Sequence, residues 1–139
     1  MTVVDFEAWA RPNLELPLRG RTFVVRPPSV EATGQLLACA VRGEINLGII
    51  DEELPAELQA VLDTIEPGTH PALGGTYQEL VEAGVDPVTI DRMAYYAVYY
   101  WTRGPEYAMR LARILWTPRE TDGEQGEPGA GGDGSGPKA

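Results

Sequence analysis

One thiol, Cys39, and one imidazole, His70, are the only cysteine and histidine of this 139-residue chain. Such a pair makes an activated nucleophile when base and thiol meet in space. Their surroundings predict otherwise. Cys39 sits among Leu36, Leu37 and Val41 and reads as a small buried residue. His70 lies in PGTHPALGG and reads as an exposed loop residue. One Cys and one His cannot supply the four ligands of a zinc site. Asp51, Glu52 and Glu53 form an acidic cluster, but at the expected start of a helix, where negative charge is favourable in itself. The spacing of a calcium-binding EF-hand is missing. Gly129–Gly134 matches G-x-G-x-x-G formally. That fingerprint works only between a strand and a helix N-terminus, so here it is an accident of composition. The expectation is a protein that binds and does not catalyse, with no cofactor and no metal.

The aromatic run AYYAVYYW, residues 94–101, is better placed for binding. At 100° per residue Ile90, Met93, Ala94, Ala97 and Trp101 share one side of a helix, with Asp91, Arg92, Thr102 and Arg103 broadly opposite. Tyr95 and Tyr99 fall on the polar side, and Tyr96 and Tyr100 border the apolar stripe. A ring with a hydroxyl at a wet surface suits protein–protein contact. In the last helix Ala108, Leu111, Ala112 and Leu115 form the stripe expected to be buried. Glu106, Arg110 and Arg113 point outward, and Ile114 and Trp116 widen the apolar face. Tyr95, Tyr96, Tyr99 and Trp116 are the expected partner-binding residues. Packing beneath another segment of the same chain is the alternative for the tyrosines.

These groups need elements to hold them. TVVDFEAWA, residues 2–10, predicts a short helix capped by Thr2 and stopped by Pro12. LELPLRGRTFVVRPPS, residues 14–29, predicts a β-hairpin turning at Gly20, with Pro17 on an edge. Ser29 caps a helix expected to stop at Gly43. Residues 51–65 predict a second helix with Pro55 at an early position and Leu54, Leu58, Val61, Leu62 and Ile65 on one stripe. Thr76 and Glu79 suggest a capping box for a third, stopped by Gly84. Asp86-Pro87 opens a helix of about 16 residues that ends near Gly104, and Pro105 opens the last. The predicted fold is mainly α (α+β): an N-terminal hairpin followed by about five helices.

Composition divides the chain into a folded part, 1–116, and a Gly/Glu/Pro-rich tail, 117–139, which has nothing large to bury and is expected to be disordered. The net charge of -10 argues against binding nucleic-acid phosphates. A single cysteine fits a reducing compartment. Asp5 and Glu7 interrupt any signal peptide, and no apolar run approaches the ~20 residues of a membrane helix.

The hairpin LPLRGRTFVVRPPS running straight into a capped helix, the later aromatic helix AYYAVYYWTRG and the tail ending at GPKA together resemble the tail assembly chaperones of long-tailed phages and prophages of actinobacteria. The resemblance covers residues 14–116 in pattern. It implies a protein of the host cytoplasm that is left out of the virion. It also implies stoichiometric binding to the tape measure protein, with the tail tube protein as a second candidate partner, during tail assembly. The other reading is a structural virion component, a minor tail or head–tail connector protein. The family often makes a second, longer product by ribosomal frameshifting. Lys138 is the only lysine beside ten arginines, and Gly-Pro-Lys can be encoded with a −1 slippery heptamer, C-CCA-AAG. On this reading Lys138 is present for its codon.

Overall fold

The computed structural model describes residue 3 and residues 5–116. The expected tail, including Lys138 and the G-x-G-x-x-G match, lies outside them, as does Thr2. The elements are a hairpin, β1 (Leu14–Leu18) and β2 (Arg21–Val25), and five helices: α1 (Val30–Asn46), α2 (Ala56–Leu62), α3 (Thr76–Glu82), α4 (Pro87–Arg103) and α5 (Pro105–Leu115). The chain divides into a unit Met1–Met109 and a unit Arg110–Ala139.

Before the hairpin, within the stretch expected to form a short helix, Phe6–Ala8 form one turn of 3-10 helix. Asp5 accepts a hydrogen bond from the Glu7 N–H at 3.0 Å and so caps this turn itself. Starting there, with Pro12 ahead, too few residues remain for an α-helix.

The hairpin turn is set by Arg19 and Gly20, whose φ values of 51° and 83° are both positive. This is the type I′ signature, whose twist matches that of the strands. The antiparallel register pairs Leu18 with Arg21, Pro17 with Thr22 and Leu16 with Phe23. A two-residue turn makes Leu18–Arg21 a hydrogen-bonded pair, so Pro17–Thr22 is a non-bonded one. The missing N–H of Pro17 therefore faces outward and costs the ladder nothing. Leu14, Phe23 and Val25 turn to the core.

Thr76 does not cap α3. Gly75 takes the N-cap position and offers no side chain. The Thr76 hydroxyl instead donates to the Val24 carbonyl at 2.7 Å and ties α3 to the outer edge of β2. Thr76→Val would leave that carbonyl without its partner. We expect a loss of about 1 kcal/mol in urea unfolding with the fold retained.

α1 is capped as expected, with the Ser29 hydroxyl accepting from the Ala32 N–H at 3.1 Å. It does not stop at Gly43. Gly48, at φ 81°, supplies the left-handed residue just past its end, and its N–H donates to the Ile45 carbonyl at 3.0 Å. α2 is shorter than the 51–65 span, and Pro55 is its N-cap rather than a residue of its first turn. Of its expected stripe only Leu62 is buried, at 7% exposure. α4 begins as expected, with Asp86 accepting from the Thr89 N–H at 2.9 Å and Pro87 in the first turn. Its packing partner is α1. Among the described residues no helix is long and apolar enough to cross a membrane.

Candidate functional site

The aromatic face of α4 divides in two where it meets α1. Tyr99, expected on the polar side, is only 1% exposed. Its hydroxyl donates to the Ala40 carbonyl of α1 at 2.9 Å. Burial, then the neighbouring Tyr95, push its pKa far above the ordinary tyrosine value. Tyr99 is thus a core residue with no surface to offer a partner. The helical wheel misplaced it because α1 covers a wider arc of α4 than the apolar stripe suggests: Val98 is buried as well as Ala94, Ala97 and Trp101.

Tyr95, half-buried, packs against Tyr99 with ring centroids 5.3 Å apart. Its hydroxyl and that of Tyr99 occupy the space that a side chain at Gly43 would fill. Tyr96 and Tyr100 form a second half-buried pair at 6.2 Å. Burial raises the Tyr96 pKa, and Tyr100 adds to the rise. Trp116 is half-buried just past α5, its N–H donating to the Ala112 carbonyl at 2.8 Å. The structure therefore keeps Tyr95, Tyr96 and Trp116 partly at the surface and withdraws Tyr99.

Sequence reasoning missed the most polar part of the interior. Glu44, on α1, is 4% exposed. Its carboxylate accepts from Arg103 twice, from Nε at 3.1 Å and from a terminal guanidinium nitrogen at 2.8 Å, and from the Tyr107 hydroxyl at 2.7 Å. Burial alone would raise the Glu44 pKa, but the bonds from Arg103 and Tyr107 and the Arg103 charge outweigh it and hold it below the usual carboxylate range. Burial and the bond to Glu44 push Tyr107 up to about 12. The rings of Tyr99 and Tyr107 lie 5.6 Å apart, tilted by 30°. The available signal is one acid, Glu44, two residues after Arg42 in a mostly apolar stretch.

The two lone reactive groups stay apart in role. Cys39 is buried, as its neighbours predict, and burial raises its pKa and suppresses the thiolate. His70 is half-buried, not an exposed loop residue: its Nδ1 accepts from the Ala72 N–H at 3.1 Å. Burial lowers its pKa, with Asp91 opposing. No hydrogen bond joins Cys39 to His70 among the described residues. His70 lines an open groove of about 1040 Å³ together with Arg26, Gln35, Thr64 and Thr76. Asp51, Glu52 and Glu53 are exposed and precede α2 instead of opening it. Among the described residues no group of three or more His, Cys, Asp or Glu could hold a metal ion.

Glu44 and His70 give stability the same pH dependence. A carboxyl held low in the fold contributes above its unfolded pKa, and that contribution fades as pH falls. A histidine held low is protonated first in the unfolded chain, so it too costs stability once pH drops below about 6.5. We expect the urea midpoint to fall steadily from pH 7 to pH 4. His70→Gln should flatten the part of that slope between pH 7 and pH 5, and an unchanged slope would show that His70 does not titrate in this way.

The outer surface carries apolar groups that the core does not use. Phe6 and Trp9 are 65% and 66% exposed and stack edge to face at 5.3 Å. Just beyond them Arg11 anchors the segment, donating to the Trp101 carbonyl at 2.7 Å and lying over the Trp101 ring. Val30, Ile49, Val88 and Ile114 are each more than half exposed. No curated protein and no solved structure matches the chain. Residues 4–138 match a family described as a domain of unknown function (DUF7426), and the chain belongs to that family.

Proposed function

We propose that this protein is a tail assembly chaperone of a long-tailed phage or prophage, binding the tape measure protein stoichiometrically in the host cytoplasm while the tail tube forms. The observation that carries the reading is the placement of large apolar groups. Leu36, Leu73, Leu80 and Tyr99 are buried in the core, yet Phe6, Trp9, Val30, Ile49, Val88 and Ile114 remain outside it. A long helical protein awaiting its tube exposes apolar seams that aggregate. A body with outward aromatic and aliphatic anchors can cover such seams as a helix is held in a groove. The net charge of -10 keeps such a body soluble. The resemblance of the hairpin and aromatic helix to this class of chaperone supports the same reading. Tyr95, Tyr96 and Trp116 remain contact residues in this proposal.

Co-expression with the tape measure protein tests it. The expected result is that the two co-purify and that the long protein becomes more soluble. Tape measure protein that stays insoluble, with none retained on the tagged chain, would reject the reading. Recovery of the chain in finished particles would point to a structural virion component.

A further inference from the structure

We infer that Glu44 is a latch that fixes the direction in which α5 leaves α4. The three bonds its carboxylate accepts come from only two residues, Arg103 and Tyr107. Arg103 is the last residue of α4, and Tyr107 lies in the first turn of α5. Between them stands Gly104, at φ 100° and ψ 163°, followed by Pro105. The corner is thus made of one residue free to rotate into a conformation other residues rarely adopt and one with φ already fixed. Neither by itself chooses the angle between the helices. A side chain at Gly104 would meet nothing within 4 Å, so packing at that position does not choose it either.

Glu44 supplies what the corner lacks. It holds both arms of the turn from α1, a third element, through bonds whose geometry is directional. Burying a carboxylate is poorly repaid in stability compared with packed apolar groups, and the better-attested gain is selection of one arrangement over its neighbours. The Tyr99 ring against Tyr107 supports the same orientation. Glu44 is a positioning residue: its effect passes through α5. This inference does not depend on the identity of the partner.

Amide hydrogen exchange of the full chain, read by segment, tests the latch. Glu44→Gln keeps the shape and removes the charge. It should speed exchange over residues 105–115 by about tenfold relative to the hairpin and α3. Tyr107→Phe removes one bond and should speed the same segment by about threefold. Unchanged exchange in α5, or an equal rise in every segment, overturns the proposal. If Glu44→Gln does not fold, Tyr107→Phe decides alone by the same criterion.

Discussion

Arg103→Leu should cost about 3 kcal/mol of unfolding free energy at pH 7, the lower end of the range for breaking a buried ion pair. The magnitude follows from what stays behind. Glu44 keeps its carboxylate in a place where its side chain is only 5% exposed, and it loses two of three hydrogen bonds and its counter-charge. The Arg103 side chain is 30% exposed, so water replaces part of what it provided, which is why the lower end applies. Domains of this size are stable by about 5–15 kcal/mol in total, so the variant should keep about 2–12 kcal/mol and still fold. The sign of its pH dependence is distinctive. Removing Arg103 raises the Glu44 pKa, so acid neutralises the stranded charge and the penalty shrinks as pH falls toward 4. Replacing both partners with leucine should recover much of the loss, because no charge then remains buried. Urea titrations of the three variants at pH 7 and pH 4 check this. A loss under about 1 kcal/mol at pH 7, or one unaffected by pH, would mean that Glu44 is not buried as a charge.

The same cluster shows where the sequence was legible and where it was not. Most local signals are short-range physics, and those that rest on a few backbone groups held. Arg19-Gly20 turns the hairpin, Ser29 and Asp86 cap, and Gly84 and Gly104 stop, because each depends on a few neighbouring backbone groups. The number and order of helices followed from the same punctuation. Several assignments that depended on a distant residue failed. Gly43 carries the local mark of a helix stop, yet α1 continues past it, and Tyr99, on α4, fills the space where a side chain there would lie. Thr76 carries the mark of a cap, yet its hydroxyl is taken by Val24. Tyr99 sits on the polar side of a helical wheel, yet α1 covers it. Glu44 and Arg103 lie in separate helices with nothing local to connect them. A single sequence gives the periodicity of a helix but not the width of the arc its neighbour covers.

Two glycines of α1 turn this contrast into a measurement with opposite signs. Gly34 is exposed, and a methyl added there would meet nothing within 4 Å. Gly34→Ala should therefore stabilise by about 1 kcal/mol, the ordinary gain from removing a mid-helix glycine. Gly43→Ala gains the same preference but places its methyl on the Tyr99 hydroxyl and 3.2 Å from that of Tyr95. The Tyr99 ring has no easy retreat: it is 1% exposed, bonded to the Ala40 carbonyl, and lies against both Tyr95 and Tyr107. Overpacking of this kind costs about 1–3 kcal/mol. The displaced Tyr99 hydroxyl also gives up its buried bond, worth about 1 kcal/mol. The helix preference offsets only part of this, so a net loss of about 2 kcal/mol is expected. Tyr99→Phe removes the atom that Gly43→Ala strikes. The double variant should thus be more stable than the sum of the two single changes predicts, by about 1 kcal/mol or more of coupling. Additive losses, or a stabilising Gly43→Ala, would mean that the two helices do not approach at this point. The glycine would then have to be explained by its own helix, and the burial of Tyr99 with it.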